Sequence, residues 1–209
     1  MEIHKMESAQ SGPLPDELHP GLLPDRLVAL ASLLAGTLLR ALRSHRPGDG
    51  EGPWSLGTRY CERRIAAVAR AAGEWDWLEV FDSSRRFIFT VDGFPLRVAT
   101  GKNSRLKRTM RRLDADEQAA HQLALFDSAV DDASFVWRLI VGIGAGWSRP
   151  TVTLVQAWSD SGAAHRSWPI ELDLDQVNRW LEEDLAPPHQ VDPLEIVWVD
   201  EDDLGRRQA

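Results

Sequence analysis

The dipeptide Asp92-Gly93 lies between two runs of alternating apolar residues, and few folds accommodate that arrangement. Phe87, Phe89 and Val91 precede it, and Phe94, Leu96 and Val98 follow it. A side-chain period of two marks a strand with one apolar face, and Asp-Gly is a favoured two-residue hairpin turn. The segment predicts an antiparallel hairpin. Upstream, Trp75, Trp77 and Glu79 alternate with Asp76, Leu78 and Val80, and Asp82-Ser83-Ser84 reads as a turn. Residues 75–100 are therefore expected to form a three-stranded meander. Pro95 lacks a ladder N–H, which puts its strand at a sheet edge or Pro95 itself at a strand start.

Before residue 74 the period is helical. A first helix is expected to start at Pro24, where proline suits the first turn, and to end before Pro47-Gly48. Leu27, Leu30, Ala31, Leu34, Leu38 and Leu42 line one face, and Val28, Leu33 and Leu39 carry the apolar surface round the helix. Such a helix is either central to a core or pairs with a partner chain, so a homodimer through Leu27–Leu42 is one expectation. A second helix is expected from about Thr58 to Ala72, with Cys61, Ile65, Val68, Ala69 and Ala72 on its apolar face and Gly73 as its stop.

Beyond the meander, Asp114 can cap a third helix over roughly 115–127. Strands are expected at Phe135–Val141, Thr151–Trp158 and His165–Ile170, then a short helix at Leu174–Asp184 and a last strand at Glu195–Val199. The whole reads as an α+β fold: an antiparallel sheet of six to seven strands in two meanders, with N-terminal helices and two further helices. Residues 1–20, rich in proline and polar side chains, read as a disordered tail. Residues 21–200 read as one domain, helical over 21–73 and sheet-forming over 74–200, and 201–209 as an acidic flexible tail.

Composition narrows the function classes. Cys61 is the one cysteine, so neither an internal disulfide nor a cysteine-based zinc site can form. The longest apolar stretch, Leu27 to Leu39, is closed by Arg26 and Arg40 and falls short of the roughly twenty residues of a bilayer span. No signal peptide precedes it, and a cytoplasmic location with no membrane partner is the expectation. There are 21 Arg against 3 Lys and 9 Trp against 1 Tyr, the bias of GC-rich codons. Aromatic positions are thus often Trp, without any implied ligand-stacking surface.

Charge is unevenly spread. The chain carries a net −8, but residues 1–112 hold 18 basic and 13 acidic side chains, while residues 113–209 hold 6 and 19. Between Asp92 and Asp114 there is no acid and seven basic residues. Arg105, Lys107, Arg108, Arg111 and Arg112 of this basic segment, 102–112, are the candidate interaction residues. They suit an acidic protein partner, or phosphates in nucleic acid, or a solvated face balanced by the acidic half.

Motifs for chemistry are sparse. Gly142-Ile143-Gly144-Ala145-Gly146 follows a strand, but Trp147 to Pro150 open another strand, so the run reads as a hairpin loop and not a phosphate cradle. None of the six histidines is spaced as a metal pair. Glu79, Asp82 and Asp92 lie near strands but lack a Glu-x-Lys partner for nuclease-type metal chemistry. Neither catalytic residues, nor a metal, nor a cofactor site can be assigned.

Two stretches, Phe87 to Val98 and Gln118 to Phe126 followed by a strand pair, resemble a group of small bacterial proteins found beside helix-turn-helix regulators and phage-immunity-type zinc peptidases. The resemblance spans about residues 55–170 and implies a protein partner of toxin–antitoxin or phage-defence type. It transfers no catalytic residue. The expectation is a non-enzymatic protein-interaction module of antitoxin or immunity type. The alternative is a nucleic-acid-binding accessory protein using 102–112, and the third reading is a hydrolase.

Overall fold

In the computed structural model the described residues are 12–84, 86–101, 106, 108–111, 117, 135–143 and 149–182. Among them the fold is α+β. A six-stranded sheet has the order β1 (Leu78–Asp82), β2 (Ile88–Val91), β3 (Phe94–Thr100), β4 (Phe135–Ile143), β5 (Pro150–Trp158) and β6 (Ala164–Ile170).

The hairpin at Asp92-Gly93 forms as expected. Val91 pairs with Phe94, and the two turn residues take φ of 51° and 79°. Two positive φ values in succession give the turn whose twist matches that of the flanking strands. Both expected meanders are present, each with antiparallel neighbours. The sheet is nonetheless mixed. β3 and β4 run parallel, in register from Arg97 beside Arg138 to Thr100 beside Val141. A parallel pair needs a long crossover, and residues 101–134 supply one. The all-antiparallel expectation fails there, because each meander was read from its own turns and neither reports how the two are joined. Pro95 accordingly sits at the second residue of an interior strand, before the parallel ladder begins at Arg97, and not at an edge.

α1 is a single turn, Pro15–Leu18, and α2 spans Pro24–Arg43 with proline in its first turn. Of the stretch 1–20 read as a disordered tail, residues 12–20 are ordered on the sheet. Pro15 is buried, the Trp168 indole donates to the Pro13 carbonyl at 3.2 Å, and His19 packs on Phe94 with centroids 4.4 Å apart. α2 is buried nearly all round, and Leu30, Leu33 and Leu34 are fully enclosed. Each such leucine contributes about 1.5–3 kcal/mol by leaving water. Its apolar surface is thus used within its own chain, against α3, the last helix and β5.

α3 runs Pro53–Ala72, starting five residues earlier than the periodicity suggested. Its buried stripe is Tyr60, Ala67, Val68 and Ala71, whereas Cys61 is half-buried and Ala69 exposed. The face is rotated from expectation because short alanines give little contrast around this helix. α4 is one turn, Arg108–Arg111, and α5 spans Leu174–Glu182. The expected helix at 115–127, apart from Glu117, and the expected strand at 195–199 lie outside the described residues.

α2, α3 and α5 cover one face of the sheet, packing on Phe89, Val91, Leu96, Val98, Trp137, Leu139, Val152 and Leu154. The other face carries a smaller cluster of Val136, Ile140, Val155 and Ala157, capped by Leu106. No helix among the described residues is long and apolar enough to cross a membrane.

Candidate functional site

Of the five candidate interaction residues, Arg105, Lys107 and Arg112 lie outside the described residues. Arg108 begins α4, and only its backbone is described. Arg111 is half-buried, and its Nε donates to the Leu106 carbonyl at 2.9 Å. Its side chain lies so close against Gly162 that any Cβ there would collide with it. Leu106 in turn donates its N–H to the Gly162 carbonyl at 3.0 Å and buries its side chain in the second face. This end of the basic segment is anchored to the β5–β6 turn. Arg111 therefore holds the segment down and does not project from it.

Beneath that segment lies a buried charge cluster. Arg138, fully buried on β4, donates two hydrogen bonds to the carboxylate of Glu117, which is also fully buried. Two further donors reach the Met110 carbonyl at 3.0 Å and the Trp137 carbonyl at 2.7 Å. Arg97 of β3 lies 3.5 Å from the same carboxylate and donates Nε to the Arg86 carbonyl at 3.2 Å. Burial lowers the pKa of Arg138, opposed by the attraction of Glu117. The cluster ties β3 and β4 to the crossover from within and offers no open face for chemistry.

Asp82 and Asp92, two of the strand-side acids weighed for nuclease-type metal chemistry, do not converge. Asp82 caps the β1–β2 turn, accepting from the Ser84 N–H and hydroxyl at 2.8 Å each, which lowers its pKa. Asp92 sits at the other end of β2 and pairs with Arg26 at 3.0 Å. Asp173 caps α5, accepting from the backbone N–H groups of Gln176 and Asp175. The Gln176 bond is the main reason its pKa lies below the ordinary value. Among the described residues no group of three or more His, Cys, Asp or Glu could hold a metal ion. β4 and β5 pair antiparallel up to Ile143 and Pro150, and Gly144, Ala145 and Gly146 of the glycine run lie outside the described residues.

A groove of about 370 Å³ lies between the first turns of α2, the turn after α3, and α5. α3 stops at Ala72, and the chain reverses with Trp75 N–H bonded to the Ala71 carbonyl at 2.7 Å. That reversal removes Trp75 and Trp77 from the expected strand and stacks their rings at 4.8 Å. The Trp77 carbonyl accepts from Asp92 N–H at 2.6 Å, which fixes the turn to the hairpin. Trp180 of α5 meets Trp75 edge-on at 6.2 Å. α5 can come this close because Gly36 of α2 has no side chain; a Cβ there would lie 2.6 Å from the Val177 carbonyl.

Guanidinium groups complete the array. Arg26 lies 5.8 Å from the Trp77 centroid, and Arg70 and Arg179 lie 4.9 and 5.9 Å from that of Trp180. Each distance falls within the range of a cation–π attraction. Asp25, Glu74 and Gln176 supply the remaining polar lining. Asp25 and Glu74, with Asp92 paired to Arg26, therefore set three carboxylates against the three guanidinium groups around the indoles.

Val177 and Trp180, three residues apart on α5, are both buried. Sequence reasoning misses the groove, because it reads Trp75 and Trp77 as strand residues and attributes the tryptophan count to codon bias. The available signal was the alternation of indoles with acids directly after a helix stop.

Comparison with known proteins finds no match to the chain in any protein family, curated protein or solved structure.

Proposed function

We propose that this chain is a protein-interaction module, and not an enzyme, that docks a protein partner in the groove lined by the half-buried Trp75 and Trp77, with the buried Trp180 beneath them. The observation that carries the reading is the set of three indoles interleaved with Arg26, Arg70 and Arg179. Tryptophan and arginine are the residues most enriched where protein interfaces concentrate their binding energy. The lining balances Arg26 and Arg179 against Asp25 and Glu74, so it suits a neutral or mixed protein segment better than a run of phosphates. An antitoxin or immunity-type role, as the resemblance implies, is one setting for such a module.

The test is capture of a partner by the wild-type protein and by two variants. One carries Trp77→Ala with Arg179→Glu, and the other replaces Arg105, Lys107, Arg108, Arg111 and Arg112 with glutamine. Loss of a stoichiometric partner in the groove variant alone supports the reading. Loss in the glutamine variant alone, with co-purifying nucleic acid in the wild type, supports the basic segment.

A further inference from the structure

Two rows of arginine lie side by side where the end of α2 packs on α3. On α2, Arg40 and Arg43 stand four and seven residues beyond Gly36, so the three share a face. On α3, Arg59, Arg63 and Arg70 follow one another at intervals of four and seven residues and share a face in the same way. Hydrogen bonds tie the rows together. Arg63 donates from Nη1 to the Arg40 carbonyl at 2.9 Å and to the Ser44 hydroxyl at 2.8 Å, and Arg59 donates to the Ser44 carbonyl at 2.7 Å.

This face is short of counter-charge. Glu51 pairs with Arg59, but among the described residues no carboxylate is ion-paired with Arg43 or Arg63. Burial, and then the positive charges of Arg40 and Arg59, lower the pKa of Arg63. An anion seated here would relieve that repulsion.

The path of the chain after α5 supplies one. The end of α5 lies on the same two faces. The Leu181 nitrogen is 3.2 Å from where a Gly36 Cβ would stand, and the Arg70 guanidinium is 4.9 Å from the Trp180 ring. From Gly36, Arg40 and Arg43 are only about 6 and 10 Å further along α2. α5 ends at Glu182, and residues 183–203, which lie outside the described residues, carry eight carboxylates and neither lysine nor arginine. The first two are Glu183 and Asp184, and the nine residues from there to Asp192 reach up to about 30 Å.

We propose that the face of Arg40, Arg43 and Arg63 is the docking site of this chain's own acidic segment after α5, with Glu183, Asp184 and Asp192 as the pairing carboxylates. Docked there, the segment keeps other polyanions off the guanidinium groups. The surface is not the tryptophan groove, whose α2 residues, Asp25, Arg26 and Ala29, lie at the other end of that helix.

The experiment places a nitroxide on Gln190→Cys in the full chain, with Cys61→Ser so that one thiol remains, and reads paramagnetic broadening of backbone amides by NMR. The expected result is broadening of amides around Arg43 and Arg63. It should be lost in about 1 M salt, where the Debye length is about 3 Å. It should also be lost in the variant Glu183→Gln, Asp184→Asn, Asp192→Asn, whose changes leave the described core untouched. Charge reversal at the exposed Arg43, Arg43→Glu, should weaken it. The proposal is overturned if these amides are not broadened at low salt. It is equally overturned if broadening persists in the neutralised variant, which would reduce the contact to chain connectivity or apolar packing, or if Arg43→Glu leaves it unchanged, which would put the segment elsewhere.

Discussion

Replacing Glu117 with glutamine should be among the most damaging single substitutions in this chain. Glu117 and Arg138 have no solvent exposure, and Arg97 is 8% exposed. The carboxylate is the acceptor for two donors of Arg138 and lies 3.5 Å from Arg97. Glutamine keeps one acceptor, turns an N–H pair toward a guanidinium, and leaves two buried cations facing each other. Removing one partner of a buried ion pair typically costs about 3–5 kcal/mol. A domain holds about 5–15 kcal/mol in total, so the substitution should remove a large share of its stability. With a urea m-value of about 2 kcal/mol/M, the midpoint should fall by about 1.5–2.5 M. The control is the apolar triple Arg97→Met, Glu117→Leu, Arg138→Met, which removes charges and counter-charge together. Such replacements are often neutral or stabilising. A Glu117→Gln loss below about 1 kcal/mol, or a triple variant as unstable as the single one, would refute the reasoning.

Three further outcomes follow from the packing. Gly36→Ala should destabilise by about 1–3 kcal/mol in urea unfolding despite alanine's better helix propensity, because its Cβ would meet the Val177 carbonyl and Trp180. Gly93→Ala should cost about 1–2 kcal/mol by the same assay, since φ of 79° strains any residue with a Cβ. Glu51 accepts hydrogen bonds from Arg59, the Arg46 N–H and His45, which lower its pKa from 4.5 to about 2, with the Arg59 side chain the largest cause. A depressed folded pKa stabilises above the ordinary value and is lost as pH falls through the folded one. Urea midpoints should therefore drop between about pH 4.5 and pH 2 in the wild type, and Glu51→Gln should lack that component; identical pH profiles would contradict it.

Local signals in the sequence carried much of this fold. Asp-Gly between alternating phenylalanines and valines identified the hairpin, and leucines round a whole helix narrowed α2 to a core helix or a face for a partner chain. Both depend on residues adjacent in the chain. The parallel pairing of β3 and β4 depends on the path of the crossover, which no local period records. The lone Arg138 within the apolar run Phe135 to Val141 was a legible sign of a buried counter-charge. Its partner Glu117 could not be picked from the many acids of the C-terminal half. The groove was hidden for a related reason: it is assembled from α2, α5 and the turn after α3, and the facing of α3 is weakly encoded in a helix whose faces differ by small alanines.

The proposal that the Trp–Arg groove docks a protein is tested most directly by measuring partner affinity across a salt series for wild type and for Trp77→Ala with Arg179→Glu. An interface of buried indoles and balanced charges is weakly sensitive to salt. The expected result is a shallow salt slope in the wild type and a loss of at least about tenfold in the groove variant, with circular dichroism unchanged. A steep slope of about one power of salt per phosphate, with the groove variant binding as tightly as the wild type, would contradict it and point to nucleic acid on the basic segment.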